Sequence, residues 1–409
     1  MCHVLDVEVE EVRCRVNRRE RLNPQLKAEY LAALETVHAT PYFFNLHVKD
    51  VAHALVLGNT GSGKSFLLCF LLTHVQKYRP RTFIFDLGGS YKTLTQLFGG
   101  SYLKVANAAL ESSEGERDTG GNRAFTINPF ALPLTDSHRH FLFAFVRALI
   151  EGNHYVMSAA EEKDLFEQID NLYDVEPSQR QLLTLSAMLS RTLRDQLQKW
   201  VKGGPYAAVF DNAFDTLTLA NFQTFDFEGM EKTPQVLEAL LFYIFHRAGS
   251  AIYDETLSTT FKIFVMDEAW RFLKHPAIRS YAAEALKTWR KKNAAMILAT
   301  QSTDDLLKSE MLDTVAENCP TKIFLANPGM NRDLYRKVFQ LSETEADLIA
   351  GLEPKRQLLV KRPGFAKVLN LEVDPESYWI FTSDPYDNEK RRAAFEHGFE
   401  KGLELLTKE

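Results

Sequence analysis

Cysteine is scarce in this chain: four of 409 residues, Cys2, Cys14, Cys69 and Cys319, with no C-x-x-C pair. That pattern excludes a disulfide framework and a zinc site, and it points to a reducing compartment. An excess of positive charge is missing too. Lys and Arg number 48 against 54 Asp and Glu, a formal net charge of -6. This argues against a chain-wide basic surface and leaves open only a local basic patch, for example one lining a pore. No apolar run reaches the length of a membrane span. The most apolar stretches, 141–150 and 236–246, are interrupted by Arg147 and Glu238 and read as buried helices. A basic-then-apolar leader is absent as well, because the N-terminus carries Asp6, Glu8, Glu10 and Glu11. The expectation is a cytoplasmic chain with at most peripheral membrane contact. Repeats and low-complexity tracts are also lacking. What remains is ordinary globular material, 45% hydrophobic and 25% charged, long enough for roughly two to three domains or one enlarged α/β domain.

The most informative run present is Gly58-Asn59-Thr60-Gly61-Ser62-Gly63-Lys64-Ser65. It matches G-x-x-x-x-G-K-[ST] in full. It follows the strand-like Ala54-Leu55-Val56-Leu57 and opens the apolar, helix-like run from Phe66 to Leu72. That is the strand–loop–helix setting in which the pattern means a phosphate site. Glycines let successive backbone N–H groups turn inward around an anion, and the helix start adds unpaired donors and the positive end of its dipole. Lys64 would reach the β- and γ-phosphates, and the Ser65 hydroxyl would ligate Mg²⁺. No N-K-x-D run supplies guanine specificity, which favours ATP.

Around this loop the sequence reads as strands alternating with helices. A helix is expected over 24–37, then a strand over 42–47 that forms a hairpin into the phosphate-loop strand. A further strand over 82–86 ends in the turn Leu87-Gly88-Gly89-Ser90, and 111–122 reads as an exposed loop. From 129 to 203 the periodicity is helical, over 138–151, 159–172 and 179–202, with Ser158 and Ser178 as capping signals. Strand patterns return at 207–210 and 224–227, followed by a helix over 234–248. Later come a strand over 261–266, a helix over 277–292, strands over 294–300 and 321–326, and helices over 331–339 and 343–350. A hairpin of 357–362 with 366–371 closes this part. Such alternation implies an α/β fold, a mainly parallel sheet with helices on both faces. The core is assigned to 41–128 and 204–385, an all-helical insertion to 129–203, a linker or domain remnant to 1–40 and a C-terminal helix to 386–409.

The strand over 261–266 ends in Asp267-Glu268. Asp267 would hold the Mg²⁺ shell, and Glu268 would orient the attacking water and take its proton. Phosphoryl transfer is mostly positioning and charge stabilisation, so one carboxylate for metal and one for water suffices. The strand over 294–300 ends in Gln301, which would face the γ-phosphate, since open parallel sheets bind ligands at their carboxyl ends. Before that strand stands Trp289-Arg290-Lys291-Lys292. Two readings stay open there. The basic run complements a helix dipole, or Arg290 reaches a neighbouring subunit's nucleotide as an arginine finger.

Together these residues resemble the conjugal-transfer ATPases of type IV secretion systems, the VirB-type and TrbE-like members of the HerA–FtsK superfamily. The likeness runs over roughly 40–372 and includes TPYFFNLHVKDVAHALVLGNTGSGKS, INPFAL, FVMDEAW, RKKNAAMILATQS and ENCPTKIFLANP. The resemblance implies a RecA-like P-loop NTPase motor that carries the helical insertion. It implies a ring, a hexamer, on the cytoplasmic face of the inner membrane, docked on secretion-channel components and moving protein or nucleic acid. It assigns phosphate-loop roles to Gly58–Ser65, Walker B roles to Asp267 and Glu268, and a sensor role to Gln301. Arg290 stands ten residues before Thr300, as an arginine of the related DNA translocases does, and Arg332 is a weaker finger candidate. Such proteins normally carry a large domain before the motor, so this chain is expected to be the C-terminal half of a longer protein or a truncated relative. The turn Leu87–Ser90 lacks the basic residue of many relatives and receives no nucleotide role. Three functions compete: a secretion ATPase, a DNA-translocating or coupling ATPase, and a slow nucleotide-gated assembly scaffold.

Overall fold

The structure, a computed structural model, describes residues 30–105, 125–151, 155–301 and 303–408. The expected loop over 111–122 lies outside them. The chain divides into two compact units, the first Met1–Tyr102, Ala220–Phe225 and Ala251–Glu409, the second Leu103–Leu219 and Asp226–Ser250.

The strands of the sheet are β1 (Ala32–Thr36), β2 (Pro41–Phe44), β3 (Ala54–Leu57), β4 (Arg81–Asp86), β5 (Ser101–Lys104), β6 (Phe222–Asp226), β7 (Lys262–Met266), β8 (Ala294–Thr300), β9 (Thr321–Leu325), β10 (Gln357–Arg362) and β11 (Phe365–Asn370). Their order is β2-β1-β11-β10-β9-β3-β8-β7-β4-β6-β5. The centre is parallel: β3 lies between β8 and β9, β8 pairs with β7, and β7 with β4. The wing from β9 through β10, β11 and β1 to β2 is antiparallel. Strands covered on both faces read as unbroken apolar runs. Accordingly β3, β7 and β8 are buried at every position. Helix Lys64–Val75 packs its apolar length into the same core, with Leu67, Leu68, Leu71 and Leu72 beside Val56, Ile84 and Ile297.

The second unit is helical. Helices Asp136–Glu151, Ala159–Leu172, Leu182–Met188 and Arg191–Leu197 occupy the expected insertion, and the described residues of 129–203 contain no strand. Ser158 caps its helix with a reciprocal Glu161 capping box. Inside the unit the buried Trp200 indole donates to the Leu149 carbonyl at 3.1 Å, and Arg247 pairs with Asp215 at 2.6 Å.

Five expectations fail locally. The helix over 24–37 is strand β1 in its described part, because Ala32, Leu34 and Thr36 turn inward while the chain pairs with β2 and β11. Tertiary pairing overrides the helix preference of Ala, Leu and Glu there. The hairpin into β3 is not formed, since β2 pairs with β1 and β3 has β8 and β9 as its neighbours. The run Ala207–Phe210 is a helical turn, not a strand. The long helix over 179–202 is broken at Leu189, which is extended, and at Ser190, and Ser190 rather than Ser178 caps a helix. The C-terminal helix is two, Pro385–Phe395 and Phe399–Lys408, parted at Gly398, whose φ of 97° suits glycine.

Candidate functional site

The sheet register brings the singled-out residues to one edge. Leu57 lies beside Thr300 and Met266 beside Leu298. Gly58, Asp267 and Gln301, one residue past their strands, therefore emerge together at the carboxyl ends. Gly58 hands the chain into the loop, its N–H meeting the Thr300 carbonyl. A Cβ on Gly58 would stand 2.5 Å from Ser62 Oγ and 2.7 Å from Leu325 Cβ, so no larger residue fits. Gly63 caps helix Lys64–Val75 in the left-handed region, φ 101°. Beside it the turn before β10 closes on the loop, the Lys355 N–H donating to the Ser62 carbonyl at 3.0 Å.

Lys64 is buried. Its Nζ donates to the loop's own carbonyls, Gly58 O at 3.0 Å and Asn59 O at 3.3 Å, and lies 3.7 Å from Glu268 Oε1. Burial pulls its pKa down, opposed by the Glu268 and Asp267 carboxylates. Ser65 Oγ donates to Asp267 Oδ2 at 2.8 Å. Asp267 Oδ1 accepts the Glu268 N–H at 3.0 Å. Glu268 sits in the left-handed region, φ 53°, a conformation that turns its carboxylate toward the loop side of the sheet edge. It accepts Gln301 Nε2 at 2.6 Å and Trp270 Nε1 at 3.0 Å. Gln301 Oε1 in turn accepts the Thr60 hydroxyl at 2.6 Å. A continuous chain thus runs from the loop through Gln301 to Glu268. The cavity in front of it measures about 800 Å³ and is lined by Thr60, Lys64, Ser65, Glu268 and Gln301, and also by Lys355, Tyr378 and Asp384.

These residues fit a nucleotide with a hard divalent cation. The Lys64 ammonium lies against the loop carbonyls, and the Ser62 hydroxyl is buried without a hydrogen-bond partner. The metal-side donors are oxygens, Ser65 Oγ and the Asp267 carboxylate. Among the described residues no cluster of three His, Cys, Asp or Glu forms a cage. Oxygen donors of this kind suit Mg²⁺, which keeps waters and substrate phosphates as most of its ligands.

Two predicted residues lie elsewhere. Arg290 is in the turn Trp289–Lys292 before β8, half-exposed and 3.8 Å from Asp50. The seven residues of β8, at about 3.3 Å each, separate it from the carboxyl edge of its own sheet. Arg332 pairs with Asp347 on the surface. Conversely, sequence reasoning missed Tyr91. Its fully buried phenol donates to Asp267 Oδ2 at 2.8 Å, and burial together with the Asp267 charge holds its pKa well above the ordinary value. The available signal was the turn Leu87–Ser90 just before it, in which Gly88 and Gly89 take φ of 129° and 73°.

Comparison with known proteins follows the same lines. The pattern of the TraG P-loop domain matches residues 152–409, and that of the central domain of the helicase HerA matches 40–211. The type IV secretion system protein virB4 of Bartonella henselae is 30% identical over 351 residues, 84% of this chain and 42% of that protein. The conjugal transfer protein TrbE of Rhizobium radiobacter is 31% identical over 378 residues, 90% of this chain and 44% of that protein. The chain thus spans a little under half the length of these relatives. In fold it resembles VirB4 of Thermoanaerobacter pseudethanolicus, with a TM-score of 0.66 at 16% identity over 88% of this chain and 98% of that one. The plasmid coupling protein TrwB in complex with an ATP analogue gives 0.55 at 15% identity, over 84% and 94%. The expected P-loop NTPase fold holds, and the chain belongs to the TraG P-loop domain family, with sequence similarity to the VirB4 and TrbE proteins named above.

Proposed function

We propose that this chain is the motor part of a type IV secretion ATPase, hydrolysing Mg²⁺-bound ATP to power substrate transfer and assembly of the channel or pilus. The observation that carries the reading is the unbroken chain Thr60–Gln301–Glu268 beside the Ser65–Asp267 pair, all opening on one cavity. Lys64 exchanges the Gly58 and Asn59 carbonyls for phosphate oxygens. Ser65 and Asp267 would hold the cation, whose chemistry when bound would be to draw off charge from the phosphates. Glu268 receives the proton of the attacking water. Gln301 links Glu268 to the loop, so loss of the γ-phosphate is felt in both strands. Arg290 supplies its guanidinium to the neighbouring subunit of a ring, a hexamer as in the family expectation. The ring sits peripherally on the cytoplasmic side of the inner membrane, bound to channel components.

Sequence identity to VirB4 and TrbE, 30–31%, favours secretion over DNA coupling, for which the likeness to TrwB is one of fold alone. Phosphate release from ATP, measured against protein concentration with the assembly mass in parallel, tests the reading. A rate per chain that rises with assembly and is indifferent to DNA supports it. DNA-stimulated, salt-sensitive turnover favours a translocase, and no turnover at any assembly state leaves the scaffold reading.

A further inference from the structure

The turn Leu87–Ser90 has no part in the chemistry above, yet its geometry delivers a side chain into it. β4 lies beside β7, and the Asp267 N–H donates to the Phe85 carbonyl at 3.0 Å. Two glycines with positive φ then reverse the chain, and Tyr91, at the start of helix Lys92–Leu97, turns back beneath the end of β7. Its ring has no exposed surface. Its hydroxyl reaches the same oxygen, Asp267 Oδ2, that receives Ser65 Oγ, each at 2.8 Å. With the Glu268 N–H on Oδ1, the carboxylate is gripped by three donors from three segments.

We propose that Tyr91 is a positioning residue for the metal shell, fixing the Asp267 carboxylate so that the Ser65 hydroxyl donates its proton there and keeps its lone pairs toward the cation. The reasoning is one of hydroxyl economy. Serine has one proton and two lone pairs. While the proton is committed to a carboxylate that cannot rotate, the oxygen faces the nucleotide as an acceptor. Without the phenol, Oδ2 loses one of its two donors, the carboxylate turns more freely and the Ser65 proton with it. Groups that orient a metal's ligands from behind typically contribute 10–100-fold to metal affinity.

This inference rests on the nucleotide reading above, and its test separates the two. ATP affinity of the full chain is measured by a fluorescent nucleotide in EDTA and across a Mg²⁺ titration, for the parent and for Tyr91→Phe. The expected result is unchanged affinity in EDTA and a Mg²⁺ half-saturation raised about 10–100-fold. An unchanged Mg²⁺ half-saturation overturns the proposal. So does an equal loss of affinity with and without Mg²⁺, which is the mark of a merely structural residue. If the parent itself shows no Mg²⁺-dependent binding, the nucleotide reading fails instead. Should Tyr91→Phe not fold, the unaltered sequence grown with 3-fluorotyrosine serves. Mn²⁺ added with nucleotide must then broaden one solvent-shielded ¹⁹F resonance that nucleotide alone leaves sharp, and the absence of such a resonance overturns the assignment.

Discussion

Replacing Glu268 by Gln separates the chemistry of the site from its architecture, and the hydrogen-bond chain says how. The Glu268 carboxylate receives two donors, Gln301 Nε2 on one oxygen and Trp270 Nε1 on the other. An amide has one oxygen. The indole only donates, so the new carbonyl must face Trp270 and the new NH₂ must face Gln301. Gln301 can answer by flipping its own amide, offering oxygen to residue 268 and NH₂ to Thr60, whose hydroxyl changes from donor to acceptor. Every group stays paired. What is lost is the attraction between Glu268 and Lys64 at 3.7 Å, roughly 4 kcal/mol at an effective dielectric of about 20 before solvent screening. Glu268 is 18% exposed in its side chain and Asp267 remains beside Lys64, so a net destabilisation of about 1–2 kcal/mol is expected. Mg²⁺·ATP at 100 times its dissociation constant should still stabilise the variant by about 2.7 kcal/mol, while turnover falls about 10²–10⁴-fold. Thermal unfolding with and without nucleotide, together with phosphate release, makes the comparison. Glu268→Ala is the contrast, since it strands both donors at about 1–3 kcal/mol each. Hydrolysis near the parental rate in Glu268→Gln would refute the assignment of the base. Loss of the nucleotide-induced stabilisation would instead make Glu268 a binding residue.

Lys64→Ala should abolish ATP-induced stabilisation in the same thermal assay without unfolding the chain, because the ammonium is already held below its ordinary pKa by burial; stabilisation equal to the parent's would count against the phosphate-loop role. Gly58→Ala should cost about 1–3 kcal/mol by overpacking and weaken nucleotide binding, since the new methyl collides with Ser62 and Leu325; a well-ordered variant of normal affinity would contradict this. Acid should destabilise the first unit between pH 6.5 and 4 through His53, whose burial lowers its pKa to about 4. The folded chain then binds fewer protons than the unfolded one in that window, so stability is full above 6.5 and about 3 kcal/mol is lost on the way down. His53→Asn, which keeps an acceptor for the Met296 N–H, should flatten that slope in denaturant titrations at pH 7 and 4.5. Arg290→Ala and Lys64→Ala chains, each inactive alone, should recover partial ATPase activity when mixed, and a mixture that assembles yet stays inactive at all ratios would remove Arg290 from the neighbour's site.

What was legible in the sequence is what the local chain decides. The phosphate loop needs left-handed glycines, and Gly61 and Gly63 have φ of 75° and 101°. The strands that carry Asp267 and Gln301 needed only their unbroken apolar runs, which full burial on a parallel sheet demands. Once those strands were in one sheet, the rule that ligands gather at carboxyl ends placed three residues together across more than two hundred positions of sequence. The failures share the opposite character. Ala32–Thr36 is written in helix-forming residues and becomes a strand only because β2 and β11 stand ready to pair with it. Ala207–Phe210 is four residues long, too short for periodicity to tell strand from helix.

Tyr91 shows the same limit inside the site itself. Its partner Asp267 is 176 residues away in sequence, and a tyrosine after a glycine turn carries no spacing rule that would link the two. The link exists because β4 and β7 became neighbours, and that adjacency is a property of the sheet order rather than of either segment. The same argument explains why Trp270, two residues past Glu268, was read only as part of a run: its indole matters because Glu268 takes a left-handed turn that brings the carboxylate back over it. Groups proposed to touch the nucleotide follow from local chemistry, since a phosphate dictates glycine, lysine, hydroxyl and carboxylate. Groups that hold those residues in place follow from topology, and any hydrogen-bonding side chain of the right reach can serve. For this fold, substitutions that tune metal affinity or the base are therefore to be sought in the segments flanking β7, among side chains that no motif marks.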